Sequence, residues 1–177
     1  AAIGIDVTGF SVGDRVFGYD DTRFGSHAEY KTMDANGPLA TIPEGWTYED
    51  AAPLTEGAHY ALGNIKASKV TSGQYAMVYG ATGAIGSAAV QLLTYFGVHV
   101  TAVCQTKNIG LVKKLGAQKV IDYLNEDFTK TDRQFDFIFD AVGKSSFGQC
   151  KPLLTTKGVY ISTELGKNSE NIFLALA

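Results

Sequence analysis

Residues 78–93, VYGATGAIGSAAVQLL, constrain the fold more than any other stretch of the chain. The apolar segment YAMVYG enters a loop of small residues, and a helical pattern leaves it. Ile85, Ala88, Ala89, Leu92, Leu93 and Phe96 recur at helical spacing, and Gly97 stands where a C-cap belongs. An apolar strand without polar alternation is the pattern of a parallel strand covered on both faces. Gly83 and Gly86 occupy the second and third glycine places of Gly-x-Gly-x-x-Gly, with Ala81 in the first and Gly80 just before it. Such a loop lets backbone N–H groups approach a diphosphate at the positive end of the helix beginning near Ala84. A Cβ at Gly83 would block that approach, and one at Gly86 would push helix and strand apart. A mononucleotide P-loop is excluded, because no Gly-Lys-Ser/Thr follows. The expectation is a dinucleotide site.

The rhythm continues downstream. VHVTAV reads as a strand, KNIGLVKKLGA as a helix ending at Gly116, KVIDY and QFDFIFDAVG as strands, SSFGQCKPLL as a short helix broken by Pro152, and GVYISTEL as a strand. This order predicts an α/β fold with a Rossmann-type doubly wound parallel sheet. Upstream, DRVFGY and SHAEYKTM read as short strands, while ANGPLATIPEG carries loop and turn chemistry around Pro38 and Pro43. Thr47 opens TYED, a capping pattern that predicts helix to about Leu54, and a second helical piece runs from about Ala58 to Ile65. The expected domains are a β-rich part over 1–58 and a dinucleotide-binding part over 59–177.

The second strand bears on cofactor choice. An Asp or Glu about 20 residues beyond the glycines would accept hydrogen bonds from the ribose hydroxyls of NAD. Here VCQTKN offers Thr106 and Lys107 and no carboxylate. A carboxylate would repel a 2′-phosphate, whereas a lysine and a hydroxyl would hold it, so NADP(H) is expected. A net charge of −3 gives no basic surface for nucleic acid. No apolar run reaches the length of a membrane span, and AAIGIDVTGF lacks the form of a signal peptide. Two distant cysteines, Cys104 and Cys150, and no glycosylation sequon fit a cytoplasmic setting. His27 and His99 have no partner at ligand spacing. Ser145 and Ser146 read as helix N-caps, and Asp122, Asp136 and Asp140 as acceptors at strand ends and turns. Short-chain reductases use a Tyr-x-x-x-Lys pair, and none of the nine tyrosines has a lysine four positions on.

VGDRVFG, GSHAEY, AAPLTEGAHYAL, GQYAMVYGATGAIGSAAVQL, KKLGAQKVIDY, FDFIFDAVG and GVYIST occur in the order seen in medium-chain dehydrogenases/reductases. The chain most resembles their zinc-independent quinone oxidoreductase branch, and the resemblance covers nearly its whole length. It implies that residues 1–58 are the last part of a chaperonin-like β-barrel catalytic domain, and that the sheet lacks its last strands. It implies that Ala81, Thr82, Gly83, Ala84, Ile85 and Gly86 wrap the diphosphate. Cys104, Thr106 and Lys107 would line the 2′-phosphate pocket, with Tyr123 beside the adenosine end. Ala141 and Val142, with Thr163, Glu164 and Leu165, would flank the nicotinamide. Tyr19, Phe24 and His59 are candidate walls of the acceptor pocket, in the cleft between barrel and Rossmann domain.

The same resemblance frames the activity. NADPH would deliver hydride to a small-molecule acceptor, a quinone or conjugated enone, in a protein whose full-length form is a homodimer. No side chain stands out as a proton donor. The structural-zinc lobe needs four close cysteines that are absent here, and Glu56 stands where the catalytic-zinc site takes a thiol, so no metal is expected. The alternatives are a zinc alcohol dehydrogenase of the same superfamily and a dinucleotide-binding protein without turnover.

Overall fold

The computed structural model describes residues 2–22 and 25–165. The chain divides into two compact units, Ala1–Glu56 and Gly57–Ala177. In the first, strand β1 (Val16–Gly18) pairs antiparallel with β2 (Leu39–Thr41), Phe17 facing Ala40. Helix α1 (Tyr48–Ala51) starts at the expected capping box, in which Thr47 and Asp50 exchange side-chain and backbone hydrogen bonds. Arg15 stitches the unit together. Its Nη2 donates to Trp46 O at 2.7 Å, and its guanidinium lies 4.6 Å from the centre of the Tyr48 ring. Two local expectations fail here. SHAEYKTM forms no strand, and β2 lies inside the stretch read as loop. A strand exists only where a neighbour supplies donors and acceptors, and β1 supplies them to Leu39–Thr41 between the two prolines, not to residues 26–33.

In the second unit the sheet is parallel throughout. Its strands are β3 (Tyr75–Tyr79), β4 (His99–Cys104), β5 (Lys119–Asp122), β6 (Phe135–Asp140) and β7 (Leu154–Ser162), in the spatial order β5-β4-β3-β6-β7. The chain therefore winds outward from β3 in one direction, then returns to its other side. The carboxyl end of β3, between β4 and β6, is the switch point where such sheets bind ligands. The connecting helices are α2 (Leu54–Ser68), α3 (Ala84–Tyr95), α4 (Ile109–Lys114) and α5 (Phe147–Cys150). Gly97 ends α3 and Gly116 follows α4, both with positive φ, as the sequence predicts. The two helical pieces expected around residues 47–65 divide differently, because α2 runs unbroken from Leu54. Its buried stripe, Gly57, Ala61, Ile65 and Ser68, is small at one end, and a Cβ on Gly57 would lie 2.6 Å from Ala84 O. Glycine here lets α2 pack on the start of α3. GVYISTEL likewise differs at both ends: β7 begins earlier, at Leu154, and stops at Ser162.

Burial on both faces explains the apolar strands. Ala76, Val78, Val100, Ala102, Phe137 and Phe139 pack into one cluster with α3, while Met77, Val103, Ile121, Phe135 and Ile138 form the other. Phe137 and Phe139 stack at 5.7 Å. Phe135 lies in the opposite layer from Phe137 and Phe139, at the start of β6, where β7 carries extra residues and the β6–β7 register shifts. Both layers are buried and closely packed. Phe137→Ala should therefore lower the free energy of unfolding by about 3–5 kcal/mol, measured by urea denaturation; a loss under 1 kcal/mol would mean that the layer is not closely packed.

Candidate functional site

The glycine loop is built by backbone contacts. The Ala81 N–H donates to Val103 O at 3.3 Å, the Gly83 N–H to Gly80 O at 3.1 Å and the Ala141 N–H to Tyr79 O at 3.0 Å. The loop is thereby tied to β4, and the end of β3 to β6. Gly80 turns with φ +77°. Gly86 is buried, and a Cβ on it would lie 2.1 Å from Gly80 O. Gly83 is the opposite case. A Cβ there would meet only Gly80 O, at 3.7 Å. Nothing within the protein demands glycine at 83, so the free space above it is available to a ligand. Gly83 caps α3 without a side-chain hydrogen bond, so the first-turn amides and the positive end of the helix dipole are left for an external acceptor.

A cavity of about 670 Å³ opens over this loop. Thr82 and Gly83 line it, with Cys104 at the end of β4, Lys107 in the turn after it, Tyr123 just beyond β5 and Val142 just beyond β6. Six of the residues predicted from the sequence thus meet in one place. The rest lie around it. Ala81 is fully buried under the loop, and Ile85 and Ala141 pack against the core. Ala84 opens α3. The Thr163 N–H donates to Asp140 O at 3.0 Å, the Glu164 N–H to Ser162 Oγ at 3.2 Å, and Leu165 is exposed. None of these three lines the cavity. His59 lies exposed on α2 with its ring edge-on to Tyr60. Tyr19 lines a separate cleft of about 560 Å³ in the first unit, together with Asp20 and Asp34. Phe24 lies outside the described residues. Gly80 of the motif also lines the cavity, as do Tyr79, Val103, Gln105, Asn108 and Lys144, which the sequence does not single out. Most of them sit at the carboxyl ends of strands, and that position was the signal available.

The acidic side chains near the cavity are engaged within the protein. Asp122 ends β5, beside Cys104 in the ladder. Its carboxylate accepts a short hydrogen bond from Thr106 Oγ1, one from Asn125 Nδ2 at 2.8 Å and one from the Leu124 N–H at 3.1 Å. The Thr106 proton is thus engaged inside the protein. These bonds, the one from Thr106 first, hold the Asp122 carboxyl below its usual range. Burial raises the Cys104 thiol, with Asp122 adding to the effect, so the thiol in the cavity wall is protonated and inert at neutral pH. Burial also raises the Tyr79 hydroxyl. The lining as a whole contains two lysines and no carboxylate. Among the described residues, no group of three or more His, Cys, Asp or Glu is placed to hold a metal ion, and no helix is long and apolar enough to cross a membrane.

The family model described as zinc-binding dehydrogenase matches residues 84–175, more than half of the chain. The chain belongs to this family of the medium-chain dehydrogenase/reductase superfamily. Among the relatives of this medium-chain protein is a mitochondrial NAD(P)H oxidoreductase of Mus musculus, 36% identical over 152 residues, which cover 81% of this chain and 38% of the relative. A 2-methylene-furan-3-one reductase of Solanum lycopersicum is 32% identical over 151 residues, covering 80% and 39%. Among solved structures, the quinone oxidoreductase of Thermus thermophilus, also known in complex with NADPH, matches with a TM-score of 0.64 at 26% identity, over 71% of this chain and 43% of that one. The chain spans about two fifths of the length of these curated relatives.

Two tests follow from the site's geometry. Gly86→Ala should destabilise the fold by at least about 2 kcal/mol, since backbone must move, whereas Gly83→Ala should stay within about 1 kcal/mol of wild type in the same thermal melt. The stabilisation from Asp122 is present above its unfolded value of about 4 and is lost as pH falls below it, because the folded value is the lower one. The gap in Tm between wild type and Asp122→Asn should thus be positive at neutral pH and close on acidification; a gap independent of pH would remove the carboxylate from the account.

Proposed function

We propose that this chain is the dinucleotide-binding part of an NADP(H)-dependent oxidoreductase that transfers hydride to a quinone or a conjugated enone. The observation that carries the reading is the cavity over Gly83, lined by two lysines and free of carboxylates, with the amides of α3 uncapped beneath it. A diphosphate fits that cradle: Gly83 leaves room for close approach, and the helix end supplies N–H donors. Lys107, beyond the end of β4, would hold the 2′-phosphate, and Tyr123 would flank the adenosine. The names of the relatives, an NAD(P)H oxidoreductase, a 2-methylene-furan-3-one reductase and a quinone oxidoreductase, support the reaction class.

Reduced nicotinamide supplies the hydride when bound. The chain's own contribution is to hold the dinucleotide along the sheet's carboxyl edge, fix its orientation and exclude water from the ring. We read the transfer as zinc-free, on the ground that Glu56 stands near the place where the catalytic-zinc site takes a thiol. No step is therefore assigned to a metal. Tyr19 and His59 remain our candidates for the acceptor pocket and Phe24 a third, the first unit being the end of the barrel domain. We further read the full-length protein as a cytoplasmic homodimer.

The decisive experiment titrates NADPH into the chain, then follows loss of reduced nicotinamide absorbance in the full-length protein with quinones and enones as acceptors. Lys107→Ala should cost about 1–3 kcal/mol of NADPH affinity, as for one charged hydrogen bond, and leave NADH nearly unchanged. An equal loss for both would take the 2′-phosphate away from Lys107. NADPH binding without turnover on any acceptor would instead make the protein a binding module.

A further inference from the structure

We infer that Lys144 is a second anion-reading side chain of this cavity, contacting the diphosphate while Lys107 reads the 2′-phosphate. The inference rests on the dinucleotide reading above and divides its charges between two residues. Lys107 and Lys144 are the cations of the cavity lining. Both are exposed, and neither has a carboxylate partner among the described residues. They reach the cavity from opposite sides. Lys107 follows β4 and Lys144 follows β6, and those strands flank β3 on either side. Their backbone anchors are thus separated by two strand spacings, roughly 10 Å. A 2′-phosphate and a diphosphate, one ribose apart, would give each lysine its own anion.

Lys144 sits on a built loop. Asp140, fully buried at the end of β6, accepts from the Val142 N–H at 3.1 Å and the Lys144 N–H at 3.3 Å through one oxygen. Its other oxygen accepts from the Ser145 N–H at 2.7 Å and Ser145 Oγ at 2.8 Å. Four hydrogen bonds on one buried carboxyl fix the backbone of 142–145. Gly143 makes the turn at φ +62°. Val142 then rests on Gly80, where an added Cβ would lie 2.6 Å from Val142 Cγ1. The loop that bears Lys144 therefore lies against the first residue of the glycine loop. That proximity favours the diphosphate, seated on the same loop, over the adenosine end, which lies toward β5 and Tyr123.

Two fragments of the dinucleotide separate the roles. ADP-ribose carries the diphosphate without a 2′-phosphate, and 2′-AMP carries the reverse. In calorimetric titrations of the 177-residue chain, Lys144→Met should weaken ADP-ribose, NADH and NADPH alike by about tenfold and leave 2′-AMP unchanged. Lys107→Met should weaken 2′-AMP and NADPH and spare ADP-ribose. Lys144→Arg should restore ADP-ribose to within about threefold of wild type, which a merely structural defect would not allow. The melting temperature should not move, because Lys144 is exposed. Unchanged ADP-ribose affinity in Lys144→Met, or a loss confined to 2′-AMP, would overturn the assignment while leaving the dinucleotide site intact. Failure of wild type to bind NADPH at all would instead bring down the site itself.

Discussion

The approach of Gly86 to Gly80 is the contact on which the site depends. Only two hydrogens separate the helix backbone from the carbonyl of the turn, since any Cβ at 86 would sit 2.1 Å from that oxygen. Because α3 can come so close, its uncapped end stands directly over the carboxyl edge of β3. The amides of the first turn then face outward, and the strand order puts β4 and β6 on either side to supply walls. A larger residue at 86 would separate helix from sheet and open the buried layer behind them. Chain connectivity, packing and ligand room are here a single constraint.

The acidic residues around the cavity follow one design. Asp122 and Asp140 each end a strand and spend their oxygens inside the protein, Asp140 on the backbone and hydroxyl of the loop that follows, Asp122 on the Leu124 N–H, the Asn125 amide and the Thr106 hydroxyl. They act as loop staples. The electrostatic result is that carboxyls lie within the structure near the cavity while lysines line it. Such an arrangement attracts an anion without placing an opposing charge beside it.

The doubly wound half was legible in the sequence because its signals are local and redundant. Apolar strands without alternation, helices with a clear period and glycines at fixed offsets all agree, and the strand ends then follow. The first unit was less legible. Whether Leu39–Thr41 or SHAEYKTM becomes a strand depends on which segment β1 pairs with, and no short window records that. At the site, the glycines, Lys107 and Tyr123 could be read from motif and resemblance. Lys144 could not, because it lies in a turn without periodicity and its direction is set by the buried Asp140. Thr106 was legible as a hydroxyl near the cavity, but its attachment to Asp122 is a tertiary fact.

The division of the β6 phenylalanines has a wider consequence: Phe137 and Phe139 belong to one helical layer and Phe135 to the other, beside the register shift that β7 makes. Gly158 permits it, since a side chain there would strike Phe135 O at 2.7 Å. A strand that anchors both layers cannot let go of one and keep the other. Opening on either side exposes aromatic surface on both, so the half-domain behaves as a single cooperative unit, and the cradle above it inherits the rigidity of the whole.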